Sequence, residues 1–440
     1  MSQTSKNPDA YITEFFTLLK DSVSAWITTY KDFMVMGDVN VSGSLESYVN
    51  YSNYPLRDEY CRRRSDGEQP DRLIASMIAL PSPTDADVIS PEPLPLTSVA
   101  RKWISALSPL QGSDLYYANF ERMAACLIPW IRSGRKNGVI VSEDEIDYDR
   151  IGLPHYMTAV RFYDLRMRLY RNDFIERHFP VYYSFCNTVK LLDSIIMPQR
   201  FHTICGCQVI GKIWAEICAA RGAESICYQQ GWPAFMHAGF VGMPYTRMIT
   251  WGEAFNDLWH HYNPGTECLS GGYPYKVKAE GSRDAVTFFL QEPYFASSPR
   301  MVGQMYDLIV ATARRSPGLP VHYRLHPESC IDPAVRQRLD AEPGVRDVSD
   351  MPLPEVYAST RVAVSHYSST IMECIAHGCC PLVFNPTPGW DYTPDLEAEG
   401  IGFVSTTPDE FFGRLPRAIA HHTSPSAIAR WFAPFDRPTH

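Results

Sequence analysis

No stretch of this chain is apolar for long enough to cross a bilayer, which takes about 20 mostly apolar residues. The longest runs, Leu73–Leu80 and Gln208–Ile217, are too short or too interrupted. A surplus of positive charge is missing as well: 40 Lys and Arg stand against 49 Asp and Glu, a net charge of −9. With no local basic cluster to override it, that balance argues against nucleic acid and against an anionic membrane surface as partners. The opening residues Met1–Phe16 lack the basic start and apolar core of a secretory signal, so a cytoplasmic location and reduced thiols are expected. The 12 cysteines follow no disulfide or zinc framework. Cys205-Gly206-Cys207 and Cys379-Cys380 lie in apolar, strand-like runs and read as buried thiols, with metal or redox work as the alternative. Repeats and low-complexity tracts are absent, which excludes fibrous and solenoid classes.

What is present is ordinary globular composition, 45% hydrophobic and 20% charged, over 440 residues. At roughly 100–200 residues per domain, that length predicts two or three domains. Residues 1–100 read as a largely helical extension, with a helix near Ala10–Tyr30 and a connector, Pro81–Pro95, that holds five prolines. Asp85-x-Asp87 and Asp147-x-Asp149 have the form of a metal-binding pair but arise by chance in a chain this long.

From about residue 137, β-branched runs alternate with helical periodicity, the α/β signature. Candidate strands are Gly138–Val141, Ile204–Ile210, Ser225–Gln229 and Met248–Trp251, with a helix ending at Gly222. After the polar stretch Lys276–Asp284 a second alternation gives five strands and four helices, from Val286–Gln291 to the run Cys380–Asn385. Right-handed crossovers make each series a parallel, Rossmann-like sheet. The expectation is therefore an α/β protein of two Rossmann-like domains, residues 101–260 and 280–415, facing a cleft where ligands bind, followed by a tail, 416–440.

Two runs carry chemistry. In Val321-His322-Tyr323-Arg324-Leu325-His326-Pro327-Glu328, alternation puts His322, Arg324 and His326 on one strand face, and Pro327 ends the strand. Imidazole and guanidinium at a strand's carboxyl end suit a phosphate or diphosphate; a solvated sheet end with a core histidine gives the same run. In Ser365-His366-Tyr367-Ser368-Ser369-Thr370-Ile371-Met372-Glu373, a strand runs into a helix whose first turn carries three hydroxyls. Such a start suits an anion, and Glu373, four residues after Ser369, could accept two ribose hydroxyls; plain N-capping and a solvated glutamate is the alternative.

Together, the His326-Pro327 pair and the S-x-x-S-S/T-x-x-x-E pattern of Ser365, Ser368, Ser369 and Glu373 resemble the carboxy-terminal domain of GT-B-fold glycosyltransferases. The likeness is to bacterial capsule and surface-polysaccharide enzymes: polysialyltransferases, Kdo transferases and CDP-glycerol polymerases. Tyr228-Gln229-Gln230-Gly231 resembles their Q-x-G, Thr250-Trp251-Gly252 their W-G, and Tyr148–Tyr163 a segment that opens a helix. Pro154, His155 and Gln230 depart from the residues usual there.

The resemblance implies a metal-independent glycosyltransferase that needs no cofactor and takes a CMP- or CDP-linked sugar as substrate. Its acceptor would be a surface or capsular polysaccharide or a glycolipid. His326, Ser365, Ser368, Ser369 and Glu373 would hold the donor nucleotide, with Arg324 added from its strand face. With no spanning segment, contact with a membrane-borne acceptor would be peripheral or through a biosynthetic complex. A general base would come from the opposite domain, with His155 first, then Glu253, His237 and Glu143-Asp144-Glu145. The alternatives are a GT-B-like UDP-sugar epimerase or hydrolase, which usually reads S-G-G where this chain has Ser368-Ser369-Thr370, and a nucleotide-binding protein without catalysis.

Overall fold

Runs of five residues buried at every position form the centres of two sheets, as parallel strands covered on both faces require. The computed structural model describes residues 7–435 except 135–136, 163–167, 234–235, 278–280, 292–296, 327–328, 330, 367, 388 and 391. Strands are numbered in chain order. β1 (Val35–Met36) and β2 (Val39–Asn40) make a short hairpin, and β3 (Ile89–Pro93) pairs antiparallel with β7 (Tyr170–Asn172). Part of the proline-rich connector is thus pinned as a strand against the first domain.

The first large sheet contains β4 (Asp114–Ala118), β5 (Gly138–Ser142), β6 (Met157–Arg161), β8 (Arg200–Ile204), β9 (Glu224–Tyr228), β10 (Arg247–Thr250) and β11 (Glu267–Ser270). Its order is β11-β10-β9-β8-β4-β5-β6, parallel throughout. The second contains β12 (Ala285–Phe289), β13 (Val321–Arg324), β14 (Val345–Asp347), β15 (Thr360–Ser365), β16 (Cys380–Phe384) and β17 (Phe403–Ser405). Its order is β14-β13-β12-β15-β16-β17, again parallel. Both sheets are doubly wound: the chain runs outward from β4 or β12, returns, and continues on the other side. The strand order reverses between β4 and β8, and between β12 and β15, which opens a crevice at those carboxyl ends.

Two expectations fail here. Tyr148–Tyr163 does not open a helix: Gly152 takes φ +71° and Pro154 follows, so the chain turns and enters β6, an edge strand paired with β5. Of the helix expected over His155–Tyr170, residues 163–167 lie outside the described residues, and Arg168 and Leu169 lead without helix into β7. Nor does a strand span Ile204–Ile210. β8 ends at Ile204, Cys205 and Gly206 turn at φ +78° and +75°, and a helix, Val209–Arg221, begins. Pro327, expected to end β13, lies outside the described residues.

The amino-terminal helices bridge the two domains. Ser42–Asn53 packs on helix Val209–Arg221, while Arg57 Nη1 donates to the Ser297 carbonyl at 2.9 Å and Arg300 pairs with Asp9 at 2.7 Å. The tail returns the other way: the Ala433 amide donates to Trp251 O (2.9 Å), and Trp431 packs edge-on to Phe255 at 4.9 Å. A Cβ on Gly252 would lie 2.5 Å from the Trp431 carbonyl oxygen, so glycine is needed for this backbone to approach. Gly252→Ala is expected to destabilise the protein by about 1–3 kcal/mol through overpacking. Thermal unfolding checks it, and an unchanged melting temperature would mean that the tail is not docked as described.

Candidate functional site

A cavity of about 940 Å³ lies between the carboxyl ends of the two sheets, within the size range of small-molecule sites. From the second domain it receives Leu290 and Gln291 after β12, Arg324 and His326 at the end of β13, and Ser368, Ser369 and Glu373 after β15. From the first it receives Arg122 on helix Glu121–Ser133, Cys205 after β8, Gln230–Pro233 after β9, and Tyr273, Tyr275 and Lys276 after β11.

The turn after β15 is built from its hydroxyls. Ser368 Oγ accepts the Thr370 amide at 3.3 Å and lies 2.6 Å from the Thr370 hydroxyl, so Ser368 supplies the local cap. Ser369 makes no capping bond with its side chain. It stands instead against the other domain, where a Cβ added to Gly231 would come within 2.7 Å of Ser369 Cβ. The helix that follows, Thr370–Ala376, has only seven residues, so the expected anion seat rests on side chains more than on a long helix.

Glu373, on this helix, is half-buried, and Tyr273 Oη donates to its Oε2 at 3.0 Å across the domain boundary. Burial raises the Glu373 carboxyl to about 7, against the pull of the Tyr273 bond and the Arg122 charge. Among the described lining residues Glu373 is the one carboxylate, facing three full cations, Arg122, Lys276 and Arg324. In a chain of net charge −9, a cavity so lined attracts anions.

Arg324 is spent differently from its expected role. Its Nη1 donates to the carbonyls of Val348, Ser349 and Met351 at 3.1, 3.0 and 2.5 Å, fastening the loop after β14. The guanidinium lends charge to the cavity while one arm is occupied. Ser365 does not reach the cavity: fully buried, it donates to the Phe289 carbonyl at 2.7 Å and stitches β15 to β12. His366 is likewise turned inward, its ring nitrogens 2.7 Å from Phe384 O and 3.0 Å from Met301 O.

The base candidates do not gather there. His155 is exposed in the turn before β6, and the register of β6 with β5 puts it at the amino ends of the strands, away from the cavity. Glu253 is exposed at the start of helix Glu253–Tyr262 and does not line the cavity. Neither does the stretch Glu143–Glu145. His237 does line it, but its Nδ1 accepts the Gly239 amide at 3.1 Å, and burial, then the charge of Lys212, hold the imidazole down at about 3. It is a neutral ring, ill suited to take a proton.

Several lining residues escaped the sequence reading. Arg122 follows β4, a strand that was not anticipated. The turn Gly271-Gly272-Tyr273-Pro274-Tyr275-Lys276, with two glycines, a proline and two tyrosines, was the legible signal for the aromatic wall. Tyr357 and His377 stack at 4.4 Å and line the cavity from the second domain.

No protein-family model matches the chain, and no curated protein matches it. Among solved structures it is similar to a protein described as a UDP-N-acetylglucosamine 2-epimerase from Listeria monocytogenes. The two are 10% identical, 74% of this chain and 93% of that chain are covered, and the TM-score is 0.50. The fold is of the GT-B type. The UDP-GlcNAc 2-epimerase from Neisseria meningitidis, bound to UDP-GlcNAc, aligns at 10% identity over 74% of this chain and 96% of that one, TM-score 0.48. The wall teichoic acid polymerase TagF aligns at 10% identity over 77% and 89%, TM-score 0.43. At 10% identity the likeness to the Listeria protein speaks to the fold and not to substrate. Among the described residues no helix is long and apolar enough to cross a membrane.

Proposed function

We propose that this protein is a glycosyltransferase that moves a sugar from a CMP- or CDP-linked donor onto a surface or capsular polysaccharide or a glycolipid. The observation that carries the reading is the meeting of His326, Ser368, Ser369 and Glu373 with three cations in one interdomain cavity. In the proposed reaction the sugar–phosphate bond breaks while the acceptor hydroxyl oxygen bonds to the anomeric carbon and its proton passes to solvent water. The departing phosphate gains negative charge, which His326, the serine hydroxyls and the fixed charge of Arg324 offset without a metal ion. Glu373 accepts the ribose hydroxyls. Tyr273 and Tyr275 form an apolar wall for the base or the acceptor sugar. His155 and Glu253 stand outside this cavity and are not carried into the proposal. The choice of cytidine rests on the resemblance of the His326-Pro327 and Ser368-Ser369 motifs to the capsule and teichoic acid families.

Thermal shift against CMP, CDP, UDP and GDP tests the reading. A nucleotide bound only to the folded state stabilises it by about 2.7 kcal/mol at a hundred times its dissociation constant. CMP or CDP is expected to raise the melting temperature most. A clear preference for UDP overturns the donor assignment in favour of UDP-sugar chemistry, and no shift with any nucleotide overturns the nucleotide site itself.

A further inference from the structure

Cys205 and Cys207 flank Gly206 in the turn that leaves β8, at the point where the strand order of the first sheet reverses. Their sulfur atoms are 3.4 Å apart. A continuing strand would hold residues i and i+2 parallel and well separated. Here two successive left-handed residues, Cys205 at φ +78° and Gly206 at φ +75°, fold the chain back so that the thiols face each other. A left-handed non-glycine residue is uncommon. The turn is closed over the pair, because a Cβ on Gly206 would sit 2.7 Å from Met243 Sδ and 3.0 Å from Cys227 Sγ.

The surroundings favour a thiolate on one of the two. Lys212, buried one turn into the following helix, donates from Nζ to Ser47 Oγ at 2.7 Å, and its charge acts on Cys207. Burial pushes Cys61, Cys186, Cys218 and Cys227 upward, and the bond to Cys207, then burial, raises Cys205; Cys207 moves down, through bonds from Cys205 and Tyr51 and the Lys212 charge. Cys205 opens onto the cavity.

We propose that Cys205 and Cys207 are a reversible redox pair, a modification site oxidised to a disulfide by a small hydroperoxide that enters through the cavity. The Cys207 thiolate attacks the peroxide, the O–O bond breaks, hydroxide leaves and takes up a proton as water, and Cys207 becomes a sulfenic acid. Cys205 Sγ then attacks Cys207 Sγ, its proton goes to the departing oxygen, and a second water leaves. Two thiols and one hydrogen peroxide thus become one disulfide and two waters, as the sulfurs close from 3.4 Å to about 2.05 Å. Disulfide formation removes the Tyr51 partner beside His237, whose Nδ1 lies 3.5 Å from Tyr51 Oη, and so changes the cavity wall. A soft cation is the other ligand that two thiolates take, but it would have to sit beside the Lys212 ammonium. Among the described residues no three His, Cys, Asp or Glu side chains gather to hold a metal. This inference does not depend on the transferase reading.

The test is peroxide titration of the reduced full-length protein, followed by unfolding, alkylation and tryptic mass mapping. The peptide Phe201–Lys212 holds both thiols and no other cysteine. It is expected to lose the mass of two hydrogens and to escape alkylation before the other cysteines react, and dithiothreitol should restore it. Cys205→Ser should leave a dimedone-reactive sulfenic acid on Cys207, while Cys227→Ser should leave the disulfide intact. If Phe201–Lys212 stays fully alkylated while other cysteines oxidise, or Cys207 pairs with Cys227 instead, the proposal is overturned. That readout comes from the unmutated chain and does not require either variant to fold.

Discussion

His326→Ala is expected to lower turnover by a factor on the order of 10²–10³ while leaving the melting temperature nearly unchanged. A group that touches the leaving phosphate works mainly as charge develops, so its loss appears in kcat more than in KM. His326 sits just beyond β13 on the cavity wall, and its backbone is held by the Ser329 amide, which donates to His326 O at 2.8 Å. Removing the ring therefore leaves the turn in place. His322 provides the contrast. It lies inside β13, opposite Thr287 and Arg346 in the sheet register, and burial, then the Arg346 charge, depress its pKa. His322→Ala should alter stability and leave turnover within a fewfold. Steady-state kinetics of both variants decides: full activity in His326→Ala removes that histidine from the mechanism, and equal losses in the two would mean that the strand face is misassigned.

The second sheet was readable because each of its signals is local. Helix Pro299–Arg315 has proline at its first position and an amphipathic face, and β15 sets β-branched Thr360, Val362 and Val364 at every second position between a helix and a turn. The first sheet was less so. Met157 and Val160, three residues apart, imitate a helical face, yet they are the two buried positions of edge strand β6. Periodicity cannot separate these cases in five residues; strand pairing with β5 does. β17, three residues long, and β4, opening on a buried aspartate held by Arg200, left too little pattern to read. The second-domain half of the cavity was legible for the same reason as its sheet, since His326, Ser368, Ser369 and Glu373 fall at strand ends. The opposing wall was not: Arg122 and Tyr273 reach Glu373 from helix and loop far away in sequence, a pairing that exists only after both domains have folded. The base was sought at a helix start that the fold turned into the far end of a strand.

CMP binding is expected to expel a proton from Glu373 below neutral pH. The carboxyl is raised to about 7 in the folded protein by burial, while an unfolded glutamate titrates near about 4.3. Between those values the folded state holds a proton that the unfolded state has lost, so this group makes stability fall as pH rises through that window. The full penalty, present above about pH 7, is on the order of 3 kcal/mol. Glu216, also raised to about 7 by burial, titrates in the same window, so Glu373→Gln should remove only part of the slope. Ribose hydroxyls that donate to the carboxylate favour its ionised form, so binding at about pH 6 must drive the proton off, whereas at about pH 8 little remains to release. Calorimetry in two buffers of different ionisation enthalpy measures that proton. The nucleotide's own phosphate titrates near pH 6 as well, and comparison with Glu373→Gln subtracts its share. The variant should release fewer protons and bind roughly tenfold or more weakly, as loss of hydrogen bonds to a charged group predicts. Equal proton release from wild type and Glu373→Gln would place the ribose elsewhere in the cavity and leave Glu373 as the anchor of Tyr273 alone.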